Sequence, residues 1–138
     1  MLIQLLIGAG LIAASIGVQV VFTGLLAYAL TLEAARVARP LGAVASALAL
    51  SVAALWLMMA HGVSIWLWAG AFLALGEFSG WEEALYFSIV CFTTLGFGDI
   101  IPDESWRILS GLCAANGLLV FGVSTAFLAE MLRRLREA

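Results

Sequence analysis

The chain has 138 residues, 64% of them apolar and only 11% charged, with a mean hydropathy of +1.14. Soluble domains carry about 25% charged residues, so this chain cannot cover a water-facing surface, and its composition is that of a membrane protein. Six arginines, no lysine and nine acids leave a net charge of −3, which excludes a basic nucleic-acid-binding face, and nearly every residue is needed for crossing the bilayer, which leaves no room for a soluble catalytic domain.

In chain order, residues 2–32 carry no charge. About 20 residues cross a hydrocarbon core of roughly 30 Å, so this stretch predicts one long or tilted transmembrane helix. It lacks the basic start and short apolar core of a signal peptide and is read as part of the mature protein. Gln4, Gln19 and Thr23, with Gly8, Gly10, Ala14 and Gly17, form either a face packed on other helices or ordinary small residues facing lipid. A short polar link follows, with Glu33, Arg36, Arg39 and Pro40. The proline is placed to end one helix or open the next. Residues 41–76 are uncharged apart from His61 and too few for two spans and a turn, so they predict a second long helix. Residues 108–129 predict the third crossing.

Arginine placement sets the orientation. Arg36 and Arg39 flank the first link, and Arg133, Arg134 and Arg136 follow the last helix, so both ends belong on the cytoplasmic side. The segment 77–107 is acidic and belongs outside. The expectation is a multi-pass protein of the cell membrane, surrounded by lipid bilayer, with the N-terminus outside and the C-terminus cytoplasmic.

Within 77–107, Ser79-Gly80-Trp81-Glu82 has the form of a capping box with Ser79 as N-cap. Glu82 and Glu83 suit the positive end of a helix dipole. A helix over 81–93 would be about 20 Å long, too short to span and too apolar to lie in water. A half-depth, re-entrant helix meets both limits. Thr93-Thr94-Leu95-Gly96-Phe97-Gly98-Asp99 follows; extended at about 3.3 Å per residue, 94–99 would climb back about 20 Å. Irregular backbone at that depth is tolerated only inside protein or along a water-filled cavity. Gly96 and Gly98 take positive φ freely, so alternating residues can turn successive carbonyls toward one axis. Leu95 and Phe97 would then pack behind the loop, with the Thr94 hydroxyl at its inner end. Such a row of carbonyls replaces the hydration shell of a monovalent cation. One chain supplies one wall, so several chains must surround the axis. The negative C-terminal end of the helix and the acids outside favour the same cation.

At these residues the chain resembles the potassium-channel pore-domain superfamily. Thr94-Leu95-Gly96-Phe97-Gly98 is similar to that family's Thr-Val-Gly-Tyr-Gly filter, with Leu for Val and Phe for Tyr, and Asp99 stands at the acid that follows. The resemblance covers an outer helix over 41–76, a pore helix over 81–93 containing Ala84-Leu85-Tyr86-Phe87-Ser88, a filter over 94–99, Pro102 and an inner helix over 106–134. It is particularly close to small bacterial pore proteins in Trp106-Arg107-Ile108-Leu109 and Gly122-Val123-Ser124-Thr125-Ala126. Residues 1–40 fall outside it as an extra N-terminal transmembrane helix and cytoplasmic link.

The resemblance implies an all-α membrane protein with three transmembrane helices, a re-entrant pore helix and an extended selectivity filter. It implies a homotetramer in which the carbonyls of Thr94, Leu95, Gly96, Phe97 and Gly98 coordinate K⁺, with passive transport, no enzyme chemistry and no cofactor besides the permeant ion. Thr93, Asp99 and Tyr86 are expected to support the filter. Tyr86 precedes Asp99 by 13 positions, where some relatives place a Trp bonded to that acid, which suggests a Tyr86–Asp99 hydrogen bond. Val90 stands where some relatives carry Glu, so that brace is missing. Gly117, one position from the family's usual hinge, and Gly122 are rival gating hinges. The first helix has no repeating arginine, so no voltage sensor is expected, nor a ligand-sensing domain after the inner helix. The alternatives are a weakly selective cation channel on the same scaffold and a non-conducting scaffold or regulatory subunit.

The remaining polar residues have more ordinary readings. His61 is expected to be a neutral packing histidine. Asn116 either faces a cavity or bonds between helices. Glu130 either lines the inner mouth or pairs with Arg133 or Arg134. Cys91 and Cys113 are read as buried small hydrophobes, the terminal arginines as an interfacial anchor, and Trp66, Trp68, Trp81 and Trp106 as outer belt or packing residues.

Overall fold

A computed structural model of the chain describes residues 1–36 and 42–137. Arg39 and Pro40 of the link lie outside the described residues, as do the side chains of Glu33, Arg36 and Arg136. The described residues form four helices and no strand: α1 (Leu2–Arg36), α2 (Ala43–Ala74), α3 (Trp81–Phe92) and α4 (Arg107–Glu137). Within α1, α2 and α4, the stretches Leu2–Leu32, Ala43–Ala74 and Arg107–Leu135 are long and apolar enough to cross a membrane. Helices suit that setting because every backbone polar group is satisfied inside the segment. α2 exposes Leu48, Leu55 and Met59 while burying Leu57, Trp68 and Phe72, so it is apolar on both sides, as a helix between lipid and protein must be.

Lipid removes the hydrophobic drive between helices, so van der Waals packing and interhelical hydrogen bonds must hold them. The open choice for α1 resolves toward a packed face, because Gln4, Ser15 and Gln19 are all buried. The Leu109 N–H donates to Gln4 Oε1 at 3.1 Å. That amide lies in the first turn of α4, where N–H groups have no partner within the helix. Lower down, Gln19 Nε2 donates to Ser124 Oγ at 2.9 Å and to Thr23 Oγ1 at 3.2 Å. Both interhelical bonds join residues 105 positions apart, so α1 and α4 run parallel in a single register. Trp56 Nε1 donates to the Phe22 carbonyl at 2.9 Å, with the two rings 4.9 Å apart, and ties α2 to the other side of α1.

α3 lies against α2 and α4. Near its start, Trp81 meets Trp66 with centroids 5.7 Å apart. In its middle, Phe87 stands edge-on to Phe72 at 5.1 Å and beside Phe78 at 5.0 Å. Its last residue, Phe92, reaches Phe121 of α4 at 5.9 Å and His61 of α2 at 6.4 Å. Ring pairs in such geometries add about 0.5–1.5 kcal/mol each beyond the area they bury. Phe72, Phe78, Phe87 and Phe92 form the core with Trp68, Leu109, Cys113 and Val120. The tryptophans divide accordingly: Trp68 is fully buried, whereas Trp66 and Trp81 are half exposed.

The start of α3 corrects the capping-box expectation. Its N-cap is Gly80, extended and without a side-chain cap hydrogen bond, and Gly80 O accepts from the Ala84 N–H at 3.1 Å. The helix therefore begins one residue later than a Ser79 cap requires. Ser79 falls before the cap and Glu82 at the second helical position, where the reciprocal bonds of a capping box do not form. Glu82 and Glu83 remain in the first turn, where the helix dipole favours them.

Candidate ion-conduction site

The segment after α3 is built from the helix's own last carbonyls. The Thr93 N–H and hydroxyl both donate to Ile89 O, at 3.0 and 2.7 Å. The Thr94 N–H donates to Cys91 O at 2.9 Å, and the N–H groups of Leu95 and Gly96 share Val90 O at 3.0 and 3.3 Å. With Thr93 as C-cap, this is the Schellman pattern that satisfies the end of a helix. The Val90 carbonyl thus holds two amides of the loop.

A Schellman turn needs a left-handed residue just past the cap, usually glycine. Here it is Thr94, with φ +59°. A β-branched residue in that region is a true outlier, at a cost of about 1–2 kcal/mol. Left-handed backbone recurs at Gly96 (φ +57°) and Gly98 (φ +77°). A helix cap accounts for Thr94 alone; it gives no reason for the repeat at 96 and 98. The backbone hand therefore alternates with a period of two. In a strand, pleating sends neighbouring carbonyls to opposite sides, whereas alternating hand turns them to one side.

The loop is bare on this chain. Residues 93–99 are all exposed, Leu95 at 54% and Phe97 at 66%. The packing expected behind the loop for these two side chains is therefore not supplied by their own chain.

Beyond the loop, the Tyr86 hydroxyl donates to Asp99 Oδ2 at 2.6 Å. That bond, and then the N–H groups of Asp99 and Ile100, hold the Asp99 carboxyl below the usual carboxylate range, outweighing a desolvation effect of opposite sign. The same bond is the main reason that the Tyr86 hydroxyl is raised. Further on, the Asp103 N–H donates to Glu77 Oε1 at 2.6 Å and fastens the return segment to the end of α2.

The inner boundary is set by glycine. A Cβ at Gly117 would overlap the Phe92 carbonyl oxygen and lie 2.7 Å from its carbonyl carbon. Gly117 stands ten residues beyond Arg107, the first residue of α4, hence about 15 Å along it. A Cβ at Gly122 would meet nothing within 4 Å outside its own helix backbone. The two hinge candidates thus differ: Gly117 is where α4 closes on the end of α3, and Gly122 has open space where a side chain would stand. α4 runs unbroken through both.

The structure also brings together residues that sequence spacing left apart. His61 is buried, with Nε2 at 3.2 Å from Ser124 Oγ and its ring 4.3 Å from that of Phe121. Its hydrogen-bond partner Ser124 lies 63 positions away, and all its partners stand on other helices, beyond the reach of helical periodicity. Asn116 is 1% exposed and its amide has no partner among the described residues, so it makes no interhelical hydrogen bond among them. Glu130 accepts from Arg133 Nε and Nη2 at 2.9 Å and from Arg134 Nε at 2.7 Å, the pairing expected of helical neighbours. Cys113 is buried and Cys91 half-buried, both as free thiols.

Three membrane-crossing helices and a short fourth helix carrying an irregular loop define the class: a multi-pass membrane protein with an ion-channel pore-type domain. Residues 45–134, well over half of the chain, match the family model described as "Ion channel", and the chain belongs to that family, within the potassium-channel pore superfamily. Membership points to a channel rather than an enzyme. Among curated proteins, the chain is 30% identical over 60 residues to the potassium voltage-gated channel protein Shal of Drosophila melanogaster, covering 43% of this chain and 10% of that one. It is 38% identical over 61 residues to two-pore potassium channel 1 of Arabidopsis thaliana, covering 44% of this chain and 17% of that one. The chain thus spans less than a fifth of the length of either relative. No solved structure matches it.

Proposed function

We propose that four copies of this chain surround one axis and conduct K⁺ passively and selectively through a filter formed by the backbone carbonyls of Thr94, Leu95, Gly96, Phe97 and Gly98. The observation that carries this reading is the left-handed backbone at every second residue, 94, 96 and 98. Aligned carbonyls offer a dehydrated K⁺ the oxygens it loses from water. The strain at Thr94 is of the kind that persists where surrounding structure and function hold it. α3 acts as the re-entrant pore helix: its end meets α4 about 15 Å along that helix, near the middle of a hydrocarbon layer of roughly 30 Å. Bare backbone at that depth must be covered by protein or face a water-filled passage, and neighbouring copies supply both the cover for Leu95 and Phe97 and the other walls. The two relatives are potassium channels by name, which favours K⁺ over other cations. Thr93, Tyr86 and Asp99 brace the filter at its two ends. The cell membrane is the proposed location, with the start of α1 outside and the end of α4 in the cytoplasm.

The test is flux. Purified protein in K⁺-loaded liposomes should behave as a tetramer and release K⁺, with Na⁺ passing far more slowly under ion substitution. Gly96→Ala and Gly98→Ala, which place a Cβ on left-handed backbone, should abolish release while leaving assembly intact. Tetramers without K⁺ flux, or with flux indifferent to both glycines, overturn the proposal; Na⁺ flux comparable to K⁺ overturns its selectivity.

A further inference from the structure

His61 of α2 meets both α4 and the end of α3. On one side its ring lies 4.3 Å from Phe121 of α4 and 6.4 Å from Phe92, the last residue of α3, and those two rings are themselves 5.9 Å apart. On the other side its Nε2 lies 3.2 Å from Ser124 Oγ of α4, which also accepts from Gln19 Nε2 of α1 at 2.9 Å. His61, Ser124 and Gln19 are all at most 5% exposed. A histidine that only filled space would be replaceable by an apolar residue without burying a ring nitrogen in a lipid-surrounded layer, where such a group is costly. Phe92 precedes Thr93 and Thr94 directly, and its carbonyl is the group that Gly117 admits. Whatever fixes the Phe92 ring therefore fixes the start of the loop.

We infer that His61 is a positioning residue for the filter: its ring holds the end of α3 against α4, while its Nε2, through Ser124 and Gln19, ties that arrangement to α1. The two arms use different parts of one side chain and are separable. His61→Phe keeps the ring between Phe92 and Phe121 and loses the hydrogen bond. His61→Gln keeps a polar group within reach of Ser124 and loses the ring. The inference rests on the proposed filter for its ion-flux readout alone; the position of the loop can be read without conduction.

The experiment is hydrogen exchange on the full-length purified oligomer, paired with K⁺ and Na⁺ flux from liposomes. His61→Gln is expected to speed exchange of the Thr94, Leu95 and Gly96 amides by tenfold or more and to change the K⁺ to Na⁺ flux ratio by at least threefold, with assembly retained. His61→Phe should leave those three amides within about twofold of the parent, and with Ser124→Ala should loosen the α1 amides around Gln19. If His61→Gln does not assemble, Phe92→Leu removes the same ring contact from the opposite side and should give the same local acceleration. A uniform rise in exchange over the whole chain would mark a purely structural role and overturn the inference, as would parent-like exchange at 94–96 in both His61→Gln and Phe92→Leu. Local acceleration in protein that carries no K⁺ would uphold the positioning role and defeat the conduction reading instead.

Discussion

Replacing Gly117 by alanine puts a methyl carbon where the Phe92 carbonyl already sits. The carbonyl carbon is 2.7 Å from the ideal Cβ position, against about 3.5–4.0 Å for an ordinary carbon contact, so α4 must retreat from α3 by about 1 Å. The obstacle is backbone, held by the hydrogen bonds of α3's last turn, and it has no rotamer to escape into. Overpacking of this kind costs about 1–3 kcal/mol, and a rigid obstacle places it at the upper end. Helix propensity works the other way, since Gly→Ala inside a helix gains about 1 kcal/mol, but Gly122→Ala gains the same and meets nothing within 4 Å. Comparing the two variants removes propensity and leaves the clash: Gly117→Ala should be less stable than Gly122→Ala by about 3 kcal/mol, roughly a hundredfold in the equilibrium. Denaturation of both purified variants in one detergent measures that gap, and liposome flux shows whether moving the end of α3 also spoils conduction. Equal stability within about 0.5 kcal/mol, the scatter of a neutral surface change, together with unchanged flux, would refute the close approach.

Two further outcomes are expected. The Asp99 carboxyl is lowered by the Tyr86 hydroxyl, so this bond contributes fully above the ordinary carboxylate range and is lost as pH falls through the lowered value; on the alkaline side it goes when the raised Tyr86 hydroxyl ionises. Tyr86→Phe should therefore move the acid limb of K⁺ flux to higher pH, measured as a flux–pH profile beside an NMR titration of Asp99. Gln4→Leu removes the acceptor of the Leu109 N–H; a buried amide left without a partner costs about 1–3 kcal/mol, readable as lowered stability of the purified protein in detergent.

Much of the architecture can be read from charge placement, because a helix crossing lipid excludes Arg, Glu and Asp from its interior and so marks its own ends. The loop is legible for a similar reason: Thr94, Gly96 and Gly98 are spaced at the period their backbone hand adopts. What sequence spacing conceals is whatever depends on a second element. Ser79 and Gly80 are both capable N-caps, and the sequence pattern alone does not choose between them. Gly117 and Gly122 are equivalent as letters, and the position of Phe92 separates them. The partners of His61 and Gln19 lie 63 and 105 positions away, where no local periodicity reports them. Leu95 and Phe97 are exposed on this chain, so no contact among the described residues reports what covers them.

The two polar fastenings between α1 and α4 have a mechanical consequence. Gln4–Leu109 and Gln19–Ser124 share one offset and are separated by 15 residues, about 22 Å of helix, like two brackets on one rod. A slip of α1 by a single turn, about 5.4 Å, would break both interhelical bonds at once and leave the Gln4 side chain and the Leu109 N–H without each other. α1 therefore cannot slide or roll independently of α4; any tilt of one is carried by the other, and a pull applied at Met1 arrives at Ser124 as axial load.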